Sequence, residues 1–349
     1  MEHNLSGAAR PIRRLRNMNT AAEGCTMRDA FGREINYMRL SVTDRCNLRC
    51  RYCMPMEGVP PTTHGDILRY EELLRVAQAA VSLGIDRFKV TGGEPLVRRG
   101  IVDFIRSLKA LPGVKQVTLT TNGLLLPPLL DGLLDAGLDA VNISLDTRDN
   151  AQYQAITRSS HTADEVLHAV RLCAGRLPTK VNAVLLSETA AQLVPLARLA
   201  EELPVDVRFI ERMPLGVADT RTKETAQKEV IGRLRVICPD LHPVSEQRGN
   251  GPARYYASAK LNGCVGLIEA VSHAFCASCN RVRLTSTGLL KPCLCYETGT
   301  DLKPLLRGGA DDVALRDAIE QAVRGKPAAH CFAERQAVTE RKSMNQIGG

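Results

Sequence analysis

Three cysteines within eight residues, Cys46, Cys50 and Cys53, constrain this chain more than any other feature. Their spacing is C-x3-C-x2-C. A short loop that turns its backbone amides inward suits an iron–sulfur cluster, because thiolates bind the iron and N–H groups stabilise the sulfides. Three ligands are one fewer than a cubane cluster needs, so one iron would be open to a non-protein ligand. An open iron beside a bound cofactor is a place for chemistry.

Two alternatives to an iron–sulfur cluster fit this triplet less well. Structural zinc loops usually pair C-x2-C units, and the three-residue gap between the first two cysteines departs from that pattern. Disulfides are disfavoured because three cysteines cannot pair among themselves and nothing in the sequence indicates secretion.

Composition limits the class of protein. The 349 residues, of which 44% are hydrophobic, are enough for one large domain and a smaller one. No apolar run is long enough for a membrane span and no secretory signal is present, so we expect a cytoplasmic protein. Twelve cysteines indicate metal ligands in a reducing compartment, and the net charge of +8 suits an anionic substrate. The absence of Trp argues against a surface that stacks nucleic-acid bases.

A repeated strand–helix pattern follows the first cysteines. The pattern predicts strands at 35–42, 87–91, 115–120, 140–145, 180–186 and 205–210. It predicts helices at 70–83, 101–108, 127–136, 163–174, 189–203 and 224–236. Alternating units imply a parallel α/β sheet, and six units fit either an open doubly wound sheet or a partial (β/α)6 barrel. In both folds the functional residues are expected at the carboxyl ends of the strands.

The chain divides into four predicted segments. Residues 1–27 are polar and Arg-rich and are predicted to form a flexible extension. The barrel would occupy 28–238, after which the alternation stops and Pro and Gly become more frequent. Short strands at 253–256, 264–268 and 282–285 and a helix at 310–323 would form a small region over 239–325. Residues 326–349 are a polar tail that ends in Gly348 and Gly349.

A second cysteine cluster lies in the small region. Cys276, Cys279 and Cys293 have the spacing C-x2-C-x13-C and again supply three ligands. If Cys295 were a fourth ligand, a zinc ribbon would be a real alternative.

Two arginines follow this cluster closely. Arg281 and Arg283 are two residues apart on a predicted strand, so their side chains point to the same face. Two guanidiniums beside a metal suit a phosphate-bearing ligand, although an arginine is more commonly an exposed surface charge.

The first triplet, with Tyr52 before its last cysteine, resembles the signature of the radical S-adenosylmethionine (SAM) superfamily. In that superfamily the three cysteines hold a 4Fe–4S cluster whose open iron binds SAM. An electron from the cluster splits SAM into methionine and a 5′-deoxyadenosyl radical.

Further motifs resemble one family within it, the GTP 3′,8-cyclases (molybdenum cofactor biosynthesis protein A). The resemblance extends over about 28–349. The matching segments are 40–55, 90–96, 120–123, 142–146, 180–182, 208–211, 213–214, 275–285, 293–294 and the terminal Gly-Gly.

This resemblance implies a fold and an activity. The fold would be a partial TIM-like radical SAM barrel with a small C-terminal cluster-binding region of short strands. The activity would be that of a lyase that converts GTP to (8S)-3′,8-cyclo-7,8-dihydroguanosine 5′-triphosphate, the first step of molybdenum cofactor biosynthesis. The 5′-deoxyadenosyl radical would abstract hydrogen from C3′ of GTP, and the new carbon radical would attack C8.

The resemblance also implies cofactors and partners. The cofactors would be two 4Fe–4S clusters and SAM. The partners would be GTP, a low-potential electron donor and, downstream, cyclic pyranopterin monophosphate synthase. A homodimer is one candidate oligomeric state, and neither nucleic acid nor membrane is expected as a partner.

The resemblance assigns roles to particular residues. The cluster ligands would be Cys46, Cys50, Cys53, Cys276, Cys279 and Cys293. SAM would be bound by Tyr52, Gly93, Ser144 and Met213. GTP would be bound by Arg39, Lys89, Thr120, Lys180, Arg281 and Arg283. The residues assigned to catalysis would be Arg281, Arg283, Gly348 and Gly349.

The residues themselves support these roles unequally. Gly93 lacks a Cβ, so its backbone could approach SAM closely. Met213 would otherwise be core packing, and Ser144 would otherwise satisfy local backbone. Lys89 and Lys180 lie on strands among apolar residues, where a lysine needs either an anionic ligand or a neighbouring acid. A terminal Gly-Gly can enter a narrow space, but it is more commonly a frayed end.

Three other functions remain open on the sequence. One is a different two-cluster radical SAM enzyme, such as a peptide-maturing enzyme, although those usually carry more cysteines near the C-terminus. Another is a zinc-containing protein that binds GTP or RNA without catalysis, which would leave the motif at 92–95 unexplained. The last is an inactive homologue. This interpretation is disfavoured because every motif position is filled.

Overall fold

Six parallel strands, each followed by helix, form the centre of the fold. The computed structural model describes residues 26–60, 62–215 and 227–349. The predicted extension therefore lies outside the described residues apart from its last two, of which Met27 is buried. The central strands are β1 Tyr37–Ser41, β2 Arg87–Thr91, β3 Gln116–Thr121, β4 Ala140–Ser144, β5 Thr179–Val184 and β6 Asp206–Ile210.

The helices of this half pack on one side of the sheet. They are α1 Tyr70–Ser82, α2 Ile101–Lys109, α3 Leu130–Asp135, α4 Asn150–Thr157, α5 Ala163–Cys173, α6 Leu193–Ala197, α7 Leu199–Glu202 and α8 Gln227–Ile237. Short 3-10 helices lie at Pro95–Val97, Pro127–Leu129 and Ser187–Gln192. The start of α5 is set by a capping box, in which the side chains of Thr162 and Glu165 each accept a hydrogen bond from the other's backbone amide.

Within residues 28–238, the strand and helix predictions agree with the structure except at two places. The predicted helix at 189–203 is interrupted, because Pro195 has no N–H to donate to the carbonyl of Ala191. The chain instead forms a 3-10 helix and then the short helices α6 and α7. Helix α4 was not predicted; its start is capped by the Asp149 carboxylate, which accepts a 2.7 Å hydrogen bond from the Gln152 amide.

The C-terminal half extends the same sheet at both edges. Its strands are β7 His242–Val244, β8 Arg254–Ala257, β9 Val265–Ile268, β10 Arg281–Leu284, β11 Leu289–Lys291 and β12 Thr300–Asp301. Its helices are α9 Lys303–Arg307, α10 Asp312–Arg324 and α11 Met344–Ile347, with 3-10 helices at Cys276–Ser278 and Arg335–Ala337.

The strand order is β12-β11-β10-β1-β2-β3-β4-β5-β6-β9-β8-β7. Strand β10 pairs in parallel with β1, and β9 pairs in parallel with β6. Eight parallel strands thus lie between two antiparallel edges. Because β12 and β7 are the ends of the order, the barrel is partial rather than closed, and the fold expected from the resemblance is confirmed.

Alternation along the strands separates the core from the site. Met38 and Leu40 on β1, and Phe88 and Val90 on β2, are fully buried in the main hydrophobic cluster with the helices. Their neighbours in the sequence therefore point to the opposite, inner face of the curved sheet. That face carries the polar and charged residues described below.

The last residues are part of the fold rather than a free tail. Lys291 and Glu340 form an ion pair of 2.5 Å between Nζ and Oε2, with side-chain exposures of 0% and 1%. Ile347 is fully buried in a second hydrophobic cluster with Leu294, Phe332 and Val338. Among the described residues, no helix has the length and apolar character needed to cross a membrane.

Candidate active site

The inner face of the sheet encloses a cavity of about 390 Å³. The residues that line it include all six cysteines of the two triplets. They also include every residue predicted to bind SAM or GTP, together with Gly349. Of the residues assigned to the site, Gly348 alone is not part of the lining.

The two cysteine triplets lie at opposite ends of this cavity. Cys46–Cys53 follow β1, at the carboxyl ends of the parallel strands. Cys276 and Cys279 precede β10, which is parallel to β1 with Arg281 opposite Tyr37, so they lie at the amino ends. Cys293 follows β11, which is antiparallel to β10, and it returns to the same end. The functional residues were expected at the carboxyl ends of the strands. They instead occupy both ends of the barrel.

The loop of the first triplet holds its cysteines partly buried at the cavity. The Leu48 amide donates to Cys46 Sγ at 3.4 Å. Burial raises the pKa of the Cys46 thiol to about 11 and that of Cys53 to about 12. The pKa of Cys50 is also raised by burial, and neighbouring Cys53 raises it further. Metal binding here would therefore release protons from thiols.

Gly93 joins this loop to the next. Its amide donates to the Thr43 carbonyl at 2.8 Å, and a Cβ at this position would lie 2.4 Å from the Arg45 carbonyl oxygen. Only glycine fits such a close approach of two backbones. The packing of the cysteine loop against this position therefore requires a glycine.

Glu94, beside it, is a buried carboxylate that lines the cavity. It is 1% exposed and accepts hydrogen bonds from the Thr121 hydroxyl at 2.8 Å and the Asn122 amide at 2.7 Å. Burial raises its pKa to about 7, against the effect of these donors. Glu94 thus ties the ends of β2 and β3 together.

The residues predicted to bind SAM have different surroundings. The Tyr52 hydroxyl donates to Asp146 at 2.7 Å, and burial raises the pKa of Asp146 to about 6. Among the described residues, the Ser144 hydroxyl has no hydrogen-bond partner although it lines the cavity. Met213 packs against the second hydrophobic cluster and also lines the cavity.

A row of cations crosses the middle of the cavity. Arg283, Arg39 and Lys89 are directly opposite one another on the neighbouring strands β10, β1 and β2. Burial lowers the pKa of each of these three groups, and the other cations of the cavity lower it further. Lys89 makes no hydrogen bond or ion pair with any residue that the structure describes. An anion in the cavity would relieve this repulsion.

Lys180 differs from Lys89 in having protein partners. Its Nζ lies 3.3 Å from Asp206 Oδ2 and donates to the Tyr255 hydroxyl at 2.9 Å. The structural alternative for a strand lysine, a neighbouring acid, thus applies to Lys180. Thr120, on β3, also lines the cavity, and its hydroxyl accepts a 3.4 Å hydrogen bond from Asn142 Nδ2 on β4.

The C-terminus enters the cavity beside the cation row. Arg283 donates to the Gly348 carbonyl at 3.0 Å, and Arg39 donates to a terminal oxygen of Gly349. Gly348 has φ of +86°, and a Cβ there would lie 2.8 Å from the Cβ of Ser41. Both the dihedral angle and the space therefore require glycine.

The second triplet is contacted by the tail that follows α10. The His330 amide donates to Cys276 Sγ at 3.3 Å, and Lys326 Nζ donates to the Arg281 carbonyl at 2.9 Å. Burial favours a raised pKa for Cys279, but Arg281 and Lys326 outweigh it, and the pKa of this thiol is lowered.

Cys295 does not face this cavity. It is fully buried, is absent from the cavity lining, and has its Sγ 3.0 Å from that of Cys331. The arrangement favours three ligands at this end rather than the four of a zinc ribbon.

The donor sets suit iron–sulfur clusters with an open iron at each end. Each set has three cysteines facing the cavity, with backbone amides directed at sulfur. Among the described residues, no three His, Cys, Asp or Glu side chains are grouped as closely as a single metal ion requires.

Several residues of the site were not predicted to act in it. The cavity lining also contains Glu94, Asp146, Arg208, Lys326 and Asn345. Asn345 Nδ2 donates to the Asp44 carbonyl at 2.9 Å, so the tail touches the first cysteine loop. Asp146 and Glu94 could have been predicted as site residues, because both follow the carboxyl end of a predicted strand. No sequence pattern places Lys326 or Asn345 there, because their positions depend on how the tail packs.

Comparisons with known proteins match the two halves of the chain to two families. Residues 40–200 match the Radical SAM superfamily. Residues 205–332 match Molybdenum Cofactor Synthesis C.

Three relatives similar over nearly the whole chain have the same name. The GTP 3′,8-cyclase of Moorella thermoacetica is 43% identical over 93% of this chain and all of its own length. That of Geobacter sulfurreducens is 45% identical over 92% of this chain and 99% of its own. That of Heliobacterium modesticaldum is 44% identical over 93% of this chain and all of its own.

Solved structures support the fold. SuiB of Streptococcus suis, crystallised with S-adenosylmethionine, superposes with a TM-score of 0.60 at 15% identity, over 90% of this chain and 77% of its own. At that identity the similarity is one of fold.

Proposed function

The chain belongs to the GTP 3′,8-cyclase family, and from this membership we propose how its own residues serve that reaction. It is a radical SAM enzyme of molybdenum cofactor biosynthesis that converts GTP to (8S)-3′,8-cyclo-7,8-dihydroguanosine 5′-triphosphate, with two 4Fe–4S clusters and SAM as cofactors. One observation carries the assignment of residues: a single cavity has a cysteine triplet at each end and a row of cations between them.

The first triplet would hold the cluster that binds SAM. Cys46, Cys50 and Cys53 are its ligands, and the cavity beside them is lined by Tyr52, Gly93 and Ser144. When bound, SAM and this cluster supply the radical that removes hydrogen from C3′ of GTP. The chain's own contribution is to fix the loop: Gly93 packs against its backbone, and Asp146 accepts the hydrogen bond of Tyr52. The Ser144 hydroxyl, which has no hydrogen-bond partner in the described part of the chain, would be available to SAM, and Met213 would border it.

The second triplet would hold the cluster that contacts guanine. Cys276, Cys279 and Cys293 are its ligands, and Arg281 follows them at the same end of the cavity. With one cluster at each end, GTP would lie along the cavity, its base at the amino ends of the strands and its ribose toward SAM. Such positioning brings the reacting atoms together, which is the main contribution of a protein to cofactor chemistry.

The cation row would bind the triphosphate. Arg39, Lys89 and Arg283 lie in register and line the cavity, and the partly buried Lys89 has no protein partner among the described residues. Lys180 and Thr120 border the same space, but Lys180 is already paired with Asp206. We therefore assign Lys89 the stronger contact with GTP. Gly348 and Gly349 would hold Arg283 and Arg39 in position.

The remaining proposals concern the chain as a whole. Residues 28–238 would form the barrel, 239–325 the region that binds the second cluster and GTP, and 326–349 the tail that completes the site. The enzyme would act in the cytoplasm, take electrons from a low-potential donor and pass its product to cyclic pyranopterin monophosphate synthase. A homodimer is the proposed oligomeric state.

An anaerobic turnover assay tests the assignment of residues. Cluster-reconstituted protein is supplied with SAM, a reductant and GTP, and 5′-deoxyadenosine and the cyclised nucleotide are measured. Cys293→Ala should abolish the nucleotide product, whereas Cys264→Ala, at a buried cysteine outside the cavity, should retain it. SAM cleavage with intact GTP would refute the substrate assignment, and intact SAM at full iron content would refute the radical assignment.

A further inference from the structure

Cys295 and Cys331 form a pair of thiols outside both cysteine triplets. Their Sγ atoms are 3.0 Å apart, closer than the contact distance of two sulfur atoms. The Cys331 amide also donates to Cys295 Sγ at 3.3 Å. The two residues are 36 positions apart in the sequence, so this contact is made by tertiary packing rather than by a local turn.

We propose that Cys295 and Cys331 form a reversible disulfide, a modification site that fastens the C-terminal tail to the barrel when small-molecule disulfides accumulate. Neither thiol lines the cavity, so the bond would form without removing a cluster ligand. Cys331 is partly exposed, whereas Cys295 is fully buried. The first can therefore meet a reagent from solvent, and the second is in place to complete the bond.

The reaction is a thiol–disulfide exchange in two steps. The sulfur of Cys331 attacks a disulfide RSSR, forms a mixed disulfide and releases one RSH. The sulfur of Cys295 then attacks the Cys331 sulfur, loses its proton and displaces the second RSH. Two protein thiols are oxidised, one RSSR is reduced to two RSH, and a low-molecular-weight thiol reverses the process.

The position of the pair gives the bond its consequence. Cys295 belongs to the second hydrophobic cluster, which also contains Phe332, Val338 and Ile347, and Cys331 packs against this cluster. Ile347 directly precedes the two glycines that contact Arg283 and Arg39. A covalent link at residue 331 would therefore restrict local opening of the tail that positions these arginines.

The test uses the anaerobic holoenzyme, treated with oxidised glutathione and then quenched by alkylation under denaturing conditions. Trypsin should yield residues 284–307 linked to 325–335, with fragmentation placing the link at Cys295 rather than at Cys293. The link should be absent from Cys331→Ser and present in Cys173→Ser, where the substituted cysteine is buried and contacts no other cysteine that the structure describes. Absence of the link in the wild-type holoenzyme, or a link through Cys293, overturns the proposal.

A second measurement tests the effect on the tail. Arg341 is exposed, but the neighbouring Glu340 and Ser343 are buried, so the backbone around residue 341 must open locally before trypsin can bind and cleave it. Loss of residues 342–349 should be at least about tenfold slower in the oxidised protein than in the reduced protein, because the link suppresses opening. Cys295→Ser should show no difference between the two conditions. Equal rates in the wild type would overturn the proposed restraint.

Discussion

Lys89 is partly buried, lies among cations and has no partner among the described residues. Its substitution by Met keeps the length of the side chain and removes the charge. GTP binding should weaken by about 10- to 100-fold, which corresponds to ~1.5–3 kcal/mol for a hydrogen bond to a charged group. The melting temperature should stay constant or rise, because Arg39 and Arg208 would lose a repulsive neighbour. Titration calorimetry with GTP and thermal unfolding measure the two effects.

Lys180→Met is the matched comparison on the inner face of β5. It removes a partner of the buried Asp206 and of the Tyr255 hydroxyl. The free energy of unfolding should fall by about 1–3 kcal/mol, the usual cost of leaving a buried polar group without its partner. A destabilised Lys89→Met together with an unaffected Lys180→Met would contradict the assignment of the two lysines.

The lowered pKa of Lys89 predicts a pH effect on binding. Burial, then Arg208 and Arg39, lowers the pKa of Lys89 well below its ordinary value. The folded protein therefore binds fewer protons than the unfolded chain between that lowered pKa and 10.5, so this group makes stability rise with pH over that range. A triphosphate would favour the charged lysine and raise its pKa again.

GTP binding at alkaline pH should therefore take up protons. Calorimetry in two buffers with different ionisation enthalpies measures the number taken up, and Lys89→Met should reduce it. An uptake that is equal in the wild type and the variant would show that Lys89 does not face the phosphates.

At the scale of elements, the short helix α11 and its two glycines can be tested by one added methyl group. Gly348→Ala would place a Cβ 2.8 Å from Ser41 and 3.0 Å from Thr91 Oγ1. The tail should shift, and turnover of GTP should fall by about tenfold or more, because small misplacements at a reacting site are costly. Turnover and GTP affinity are the measurements.

Gly309→Ala provides the control for backbone strain. Gly309 also has a positive φ, +80°, but a Cβ there would meet no atom within 4 Å. Gly309→Ala should lower the stability of the fold, because alanine is strained in the left-handed region, but it should leave turnover unchanged. Similar losses of turnover in both variants would mean that strain, and not the fit against Ser41, accounts for the effect.

The same elements show what the sequence can predict. Strands β2 and β4 and helices α1 and α5 were predictable because apolar residues recur with the period of each structure and because caps or glycines mark their ends. The cysteine triplets and the glycine-rich loop were predictable as site residues from spacing. The interruption of the helix before β6 was not predictable from the apolar pattern. Hydrophobic periodicity shows which residues face the core, but it does not show the backbone hydrogen bond that Pro195 removes.

Contacts made by packing could not be predicted. Whether a strand lysine faces an acid or an open cavity depends on the neighbouring strand, and the sequence treats Lys89 and Lys180 alike. The ion pair of Lys291 with Glu340 and the contact of Asn345 with Asp44 depend on the path of the tail. That path is set by tertiary burial, which leaves little local pattern.

At the scale of the whole molecule, the C-terminal half covers both edges of the parallel sheet. Strand β9 completes the hydrogen bonds of β6, and β10 completes those of β1. Without them, two long parallel edges would present unpaired backbone groups and buried apolar residues to solvent. The strands before and after residue 238 therefore belong to one sheet. We do not expect the change of topology there to be a boundary between independently folding units.

A chain limited to residues 28–238 tests this interdependence. It should aggregate or fail to unfold cooperatively in urea. The full chain, also measured without iron–sulfur clusters, should unfold in a cooperative transition. Circular dichroism and sedimentation of the two proteins are the measurements. A monomeric 28–238 with a cooperative transition would show that β1 and β6 tolerate exposure. The C-terminal strands would then serve only to bring the second triplet to the amino ends of the barrel, and the single sheet would not be the unit of stability.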